Sequence, residues 1–339
     1  MQRFENTICR AALSILLVVS ALLSACAEPS LKDESALRKV TICQWGQALI
    51  YLPLYIAMQE GFFEDEGLDV TLTNGGADDL TWAAVISGSA QFGVADPTMI
   101  AVQSEQGGVP GRMVATVVGR VAFWAISLDS AAEEITKPED FRGHTVAAFR
   151  FPNTANALAL RTFQKARLEL GKDVSIVPVD YGAVLAQLLR GEASLAMVLE
   201  PAASLAEAEG AKVVYSYAED WGEFAFTGLT TTEELIQKDP ALVQAVVNAL
   251  QRAVRLAHTD LERAVENGIR AFPDLSPDVI ETAVKRMLDE GTLPAHVTPS
   301  LEGWNRAIEV NIEVGKLRQA PDPQKMLDDS FALRAVSSE

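Results

Sequence analysis

The sequence predicts an α/β protein made of two α/β lobes joined by two crossover segments. Three observations carry this. Short apolar runs alternate with segments of helical period from Val40 to Val118, the alternation resumes from Thr145 to Tyr217, and both series share one punctuation. In the first, Ser87-Gly88 leads into an apolar run that ends in Asp96-Pro97; in the second, Arg190-Gly191 leads into a run that ends in Glu200-Pro201. Strands alternating with helices read as helix-covered, largely parallel sheets. Glycine, strand and proline is also ordinary α/β punctuation, so the echo suggests paired lobes and no more.

Taken in order, Val40–Cys43 is a strand and Gln44–Leu52 a polar and aromatic loop holding Trp45, Gln47 and Tyr51. Pro53 opens a helix, where its missing N–H costs nothing, and Gly61 closes it. Leu68–Leu72 is the next strand, and Asn74-Gly75-Gly76 a turn. Asp79–Ser87 is a helix, Gln91–Ala95 a strand, Thr98–Gln106 a helix and Met113–Val118 a strand. Gly119–Ser127 breaks the pattern: Phe123-Trp124-Ala125-Ile126 is an extended apolar run with no helix before it. The second series runs Thr145–Phe149, helix Asn156–Leu170, Val174–Val179, helix Ala183–Arg190, Leu195–Leu199, helix Pro201–Glu209 and Val213–Tyr217. The remainder is helical. Leu242, Val243, Val246, Val247, Leu250 and Val254 mark one face, and Ser276-Pro277 reads as an N-cap and first-turn pair. Such a tail needs a partner, which it finds by packing back on the first lobe. The chain is therefore expected to cross out near Phe123–Ser127 and return near Ala225–Thr230.

Composition narrows the function. Of 339 residues 49% are apolar, enough for a sizeable core. The net charge of −18 repels a phosphate backbone and no basic cluster offsets it, which argues against nucleic acid as a partner. At the N-terminus, Arg3 and Arg10 flank a polar stretch and Ala11–Leu22 is apolar, too short to span a bilayer and suited to a signal segment. Of the three cysteines, Cys9 lies in that segment, Cys26 follows it, and Cys43 sits alone on an apolar strand as a small core residue. The three histidines, His144, His258 and His296, are scattered, so a metal site is not expected, and no nucleophile elbow or phosphate loop is present.

Several stretches carry a resemblance. Gly61–Val70 (GFFEDEGLDV), Ile86–Asp96 (ISGSAQFGVAD), Phe141–Ala147 (FRGHTVA), Leu188–Pro201 and Gly228–Leu250, in this order, resemble the periplasmic solute-binding proteins of nitrate, sulfonate, taurine and thiamine-pyrimidine ABC importers, the NMT1/THI5-like family. His144 stands where that family often has lysine. The resemblance implies a type II periplasmic-binding fold: residues 38–122 and 228–339 as lobe 1, and 123–227 as lobe 2. Leu23-Ser24-Ala25-Cys26 is similar to a bacterial lipobox. That likeness implies cleavage after residue 25, lipidation of Cys26, and residues 26–37 as a tether. The implied protein is an extracytoplasmic, membrane-anchored lipoprotein. It acts as a monomer without cofactor, takes a small ligand and hands it to a membrane permease. An enzyme on the same fold, as in pyrimidine or menaquinone pathways, is the alternative; the signal segment argues against it.

Ligands of open α/β sheets sit beyond the carboxyl ends of the strands. There Trp45, Tyr51, Phe123, Trp124 and Tyr181 can supply flat walls, although each also suits the core. Gln47, Thr98, Asn153 and Thr154 can donate hydrogen bonds, and Asn153-Thr154 can equally cap the following helix. Asp96, Asp180 and Glu200 end strands and suit a ligand with N–H donors, or serve as N-caps. Arg120 and Arg150 are the basic residues near these loops that an anion would use. The balance leans to a neutral or nitrogenous ligand over a sulfonate, taurine or nitrate-type anion.

Overall fold

The alternation of apolar runs and helical periods is realised as two five-stranded sheets. The computed structural model describes residues 37–129, 132–133, 135–150, 154–180 and 182–337. The expected signal segment, Cys26, Asn153 and Tyr181 lie outside the described residues. The chain from Arg38 onward forms one unit. It starts with β1 (Arg38–Gln44), α1 (Leu52–Gln59), α2 (Phe62–Asp65), β2 (Leu68–Asn74), α3 (Asp78–Ile86), β3 (Phe92–Ala95), α4 (Met99–Glu105) and β4 (Gly111–Arg120). It continues through β5 (Trp124–Ser127), β6 (Thr145–Phe149), α5 (Thr154–Lys165), β7 (Ser175–Val179), α6 (Val184–Leu189), β8 (Leu195–Val198), α7 (Ala202–Ala208), β9 (Lys212–Ser216) and α8 (Tyr217–Trp221). β10 (Glu223–Thr232) leads to α9 (Glu233–Lys238), α10 (Pro240–Thr259), α11 (Leu261–Ala271), α12 (Pro277–Asp289), α13 (Leu301–Glu313), α14 (Pro323–Met326) and α15 (Ser330–Ser337).

The strand orders are β2-β1-β3-β10-β4 and β7-β6-β8-β5-β9. In the first sheet β1 runs parallel to β2 and β3, with Val40 opposite Val70 and Ile42 opposite Phe92. β10 lies antiparallel between β3 and β4, with Leu229 opposite both Val94 and Ala115. The second sheet repeats this plan. β6 is parallel to β7 and β8, and β5 is antiparallel to β8 and β9. Each sheet thus takes its fourth-place strand from the chain as it arrives from the other sheet. The expected parallel order holds for β1, β2 and β3, while β10 is antiparallel to both its neighbours. Phe123–Ser127 and Ala225–Thr230, expected as crossover segments, lie largely within sheet strands. Period alone gives a strand, not its direction, and β10 is placed by sequence-distant partners.

Local signals explain most boundaries. Gly61 adopts φ 73, which ends α1, and Pro53 sits in its first turn. α3 starts at Asp78, one residue before the expected helix. α5 spans Thr154–Lys165 and not Asn156–Leu170, because Arg167 turns to φ 55 and Leu168 N bonds Phe163 O. Ser276 Oγ accepts from Val279 N, capping α12 with Pro277 in the first turn. α10 buries Leu242, Val243, Val246, Val247, Leu250 and Val254 and packs on α1 and α15. Each such side chain contributes roughly 1.5–3 kcal/mol by leaving water.

Candidate functional site

The carboxyl ends of strands from both sheets meet at one cavity. Trp45 follows β1, Asp96 follows β3, Phe149 ends β6 and Leu199 follows β8. The antiparallel strands contribute their starts: Phe123 precedes β5, and Phe226 and Thr227 lie early in β10. Tyr51, Asp78 and Thr154 complete the lining with Ala48 and Ile50, around a cavity of about 50 Å³ that opens to solvent.

The backbone fixes these groups in place. Trp45 N donates to Val94 O (2.9 Å) and Gly76 N donates to Trp45 O (2.7 Å), so the loop after β1 is pinned to β3 and to the turn after β2. Behind it, buried Gln44 donates to Asn74 Oδ1 (2.9 Å) and accepts from Tyr55 Oη (3.2 Å). The aromatic wall is self-supporting. Phe123 meets Phe149 edge-on at 5.8 Å and Phe226 at 5.3 Å between ring centres. Such pairs contribute about 0.5–1.5 kcal/mol beyond burial.

The polar side of the cavity is a carboxylate pair. Asp78, the first residue of α3, accepts from Asp96 N at Oδ1 (3.1 Å). Its Oδ2 has no hydrogen-bond donor among the described residues. Asp96 Oδ1 accepts from Thr98 N (2.9 Å) and Thr98 Oγ1 (2.6 Å), a local turn; the N-cap of α4 is Thr98 and not Asp96. Its Oδ2 accepts from Thr154 Oγ1 (3.0 Å), a bond between the first sheet's loop and the second sheet's helix α5. Asn311 of α13 donates to Thr98 Oγ1 (3.1 Å) and fixes that hydroxyl. Burial, and then the charge of Asp96, raise the Asp78 pKa to about 7. Asp78 therefore keeps its proton up to near neutral pH.

Five of the expected site residues line the cavity: Trp45, Tyr51, Asp96, Phe123 and Thr154. The structure places the other described ones elsewhere. Gln47 is exposed and donates to Ala271 O (2.8 Å). Thr98 is buried behind Asp96. Trp124 is fully buried and donates from Nε1 to Glu290 Oε2 (2.7 Å); alternation along β5 sends it away from the side that Phe123 faces. Asp180 is exposed and paired with Arg150 (2.9 Å). Glu200 is buried, bound by Ser204 and by Arg286, and serves as an interior ion pair. Burial pushes its carboxyl up against the pull of Arg286. Arg120 donates to Glu290 O (3.1 Å) and does not reach the cavity.

Asp78, Phe149, Leu199, Phe226 and Thr227 are the lining residues that sequence reasoning passed over. The strand-end rule itself points to Phe149, the last residue of its strand. Asp78 was one residue outside the expected helix. Phe226 and Thr227 needed the direction of β10. No Lys, Arg, His, Cys or Ser lines the cavity among the described residues. The described residues also contain no cluster that could hold a metal ion and no helix long and apolar enough to cross a membrane.

Comparisons with known proteins agree with this architecture. YtlA of Bacillus subtilis (strain 168) is 24% identical over 312 residues, covering 91% of this chain and 93% of its own. The periplasmic aliphatic sulphonate binding protein SsuA of Escherichia coli superposes with a TM-score of 0.69 at 16% identity, over 87% of this chain and 99% of its own. The desulfurization enzyme DSZB, in a complex with biphenyl-2-sulfinic acid, superposes with a TM-score of 0.65 at 13% identity, over 89% of this chain and 100% of its own. The two-sheet fold is therefore shared by a binding protein and an enzyme. The sequence profile described as NMT1/THI5 like matches residues 50–264, more than half of the chain, and the protein belongs to that family.

Proposed function

We propose that this protein is the extracytoplasmic substrate-binding component of an ABC import system. It captures a small ligand between two lobes, residues 38–122 with 228–339 and residues 123–227, and delivers it to a membrane permease. The observation that carries this reading is the cavity's construction from strand ends of both sheets, with Thr154 bonded to Asp96 across it. A ligand held there contacts both lobes and biases their closure. Family membership and the likeness to sulphonate-binding SsuA support the transport role. Lipidation at Cys26 would hold the monomeric receptor at the membrane; its sequence context supports this.

The lining favours a nitrogenous ligand, such as an aminopyrimidine, over a sulfonate, taurine or nitrate-type anion. Two carboxylates and flat rings line the cavity, and no cation does among the described residues. An anion wants Arg, Lys or unopposed helix N-termini. Here the α3 N-terminus already carries the Asp78 carboxylate.

Thermal unfolding of the chain after Cys26, against aminopyrimidines, alkanesulfonates and nitrate, tests the reading. A ligand that binds only the native state raises the midpoint by linkage. We expect aminopyrimidines to raise it. No shift with any class, together with unchanged solute uptake in cells lacking the protein, would sink the receptor reading. The Asp78–Asp96 pair also favours a second reading, acid–base catalysis on the same fold. Conversion of a bound compound to a new mass would establish it.

A further inference from the structure

The acid pair constrains the ligand's charge, and this inference rests on the receptor reading above. We propose that the cavity takes an organic cation, an ammonium or protonated nitrogen heterocycle with a compact apolar body, and that its binding expels one proton from Asp78.

Two independent features of the cavity point to a positive charge. The first is the acid pair, whose Asp78 Oδ2 lacks a donor among the described residues and belongs to a cavity-lining side chain. Asp96 already accepts three hydrogen bonds from Thr98 and Thr154, so Asp78, which accepts one, has the greater capacity left for a ligand N–H. The second is the wall of Trp45, Tyr51, Phe123, Phe149 and Phe226. Ring faces attract cations through their quadrupoles, and the attraction grows as water is excluded. A wall of this kind without the acids would suit any flat apolar ligand. Acids of this kind without the wall would be a solvated surface.

Asp96 and Asp79 disfavour the ionisation of Asp78, Lys316 beyond α13 favours it, and burial disfavours it most. The helix N-termini of α3 and α5 also reach the cavity, but a helix end carries only about half a unit charge. They moderate two carboxylates and do not invert them.

Proton balance follows. In the empty site below about pH 7, Asp78 holds its proton and is neutral. When a monocation enters, Asp78 gives its proton to the solvent. The new carboxylate charge offsets the charge of the cation. The net charge of the cavity is therefore the same empty and filled, and the cation replaces the proton as partner of Asp78. Because the ligand competes with a proton that leaves near pH 7, affinity rises as pH rises towards 7 and levels off above it.

Isothermal titration of the chain after Cys26 with benzylammonium and phenyltrimethylammonium tests this, with benzenesulfonate and tert-butylbenzene as anionic and neutral counterparts of similar size. Repeating each titration in buffers of different ionisation enthalpy counts protons. We expect both cations to bind and the sulfonate not to. Proton release should be near one at pH 6, about one half at pH 7 and close to none at pH 8.5, with affinity about fiftyfold weaker at pH 5 than at pH 7. Asp78→Asn should abolish both the release and the pH dependence. Tighter binding of benzenesulfonate than of either cation, or no binding of either cation at millimolar concentration, overturns the cation assignment. Cation binding without proton release at pH 6 overturns the exchange. Binding of the sulfonate would leave the receptor reading intact, because that reading is tested by uptake and not by the sign of the ligand.

Discussion

Asp78 is a group whose charge the fold works against. It is half-buried, it faces Asp96, and its pKa rises from 3.8 to about 7. The folded protein thus binds more protons than the unfolded chain between those values, so its contribution to stability falls as pH rises through that window. Asp78→Asn keeps the Oδ1 acceptor for Asp96 N and removes the charge. In ligand-free protein it should stabilise by on the order of 2 kcal/mol at pH 8, about half the full linkage value because a half-buried carboxylate is partly screened. The gain should vanish near pH 4. Urea unfolding at the two pH values measures it, and an equal effect at both would contradict the proton assignment.

At the scale of elements, the turn between β2 and α3 positions the acid pair. Gly75 N donates to Gln44 O (2.8 Å), and the turn brings α3 against the loop after β1. A Cβ at Gly75 would lie 2.4 Å from Thr81 Oγ1 and 2.9 Å from Thr81 N. The second contact is helix backbone, which cannot swing away as a side chain can. Gly75→Ala should therefore push α3 outward and carry Asp78 with it. We expect a loss on the order of 1–3 kcal/mol, as for other overpacked sites, and a weakened ligand site. Retention of wild-type stability and affinity would show that α3 is less firmly seated than its contacts imply.

Over the whole molecule, the helical tail joins the two sheets away from the cavity. Arg286 of α12 reaches Glu200, just before α7 of the second sheet, and Glu207 within it, and Glu290 accepts from Trp124 of β5. Although burial opposes it, the two carboxylates push the Arg286 pKa up and keep it charged. Arg286→Met would leave Glu200, which is fully buried, without its counter-charge. Breaking such a pair from one side costs about 3–5 kcal/mol. The loss should be largest at pH 8 and smaller at pH 5, since Glu200 already has a raised pKa and protonates readily once unpaired. A loss independent of pH would point to lost packing instead.

Much of this was legible in the chain itself. The β/α alternation, the glycine stops, Pro53, the Ser276-Pro277 cap and the apolar face of α10 are local signals, and local backbone preference realises them without distant help. So were Trp45, Tyr51, Asp96, Phe123 and Thr154 as residues at strand or helix ends. Trp124 and Glu200 show the limit. Each sits in a strand-end pattern indistinguishable from that of its neighbour, and only the packing of β5 and α12 shows that they bond each other's surroundings and not a ligand. Asp78 was missed because a one-residue shift in a helix start decides which acid faces the cavity. The sequence by itself determined the elements, the family and the aromatic and acidic character of the site. The tertiary structure alone decided the direction of β5 and β10, the meeting of strand ends from both sheets, and the pairing of Asp78 with Asp96. These depend on contacts between residues far apart in the chain, which no local periodicity encodes.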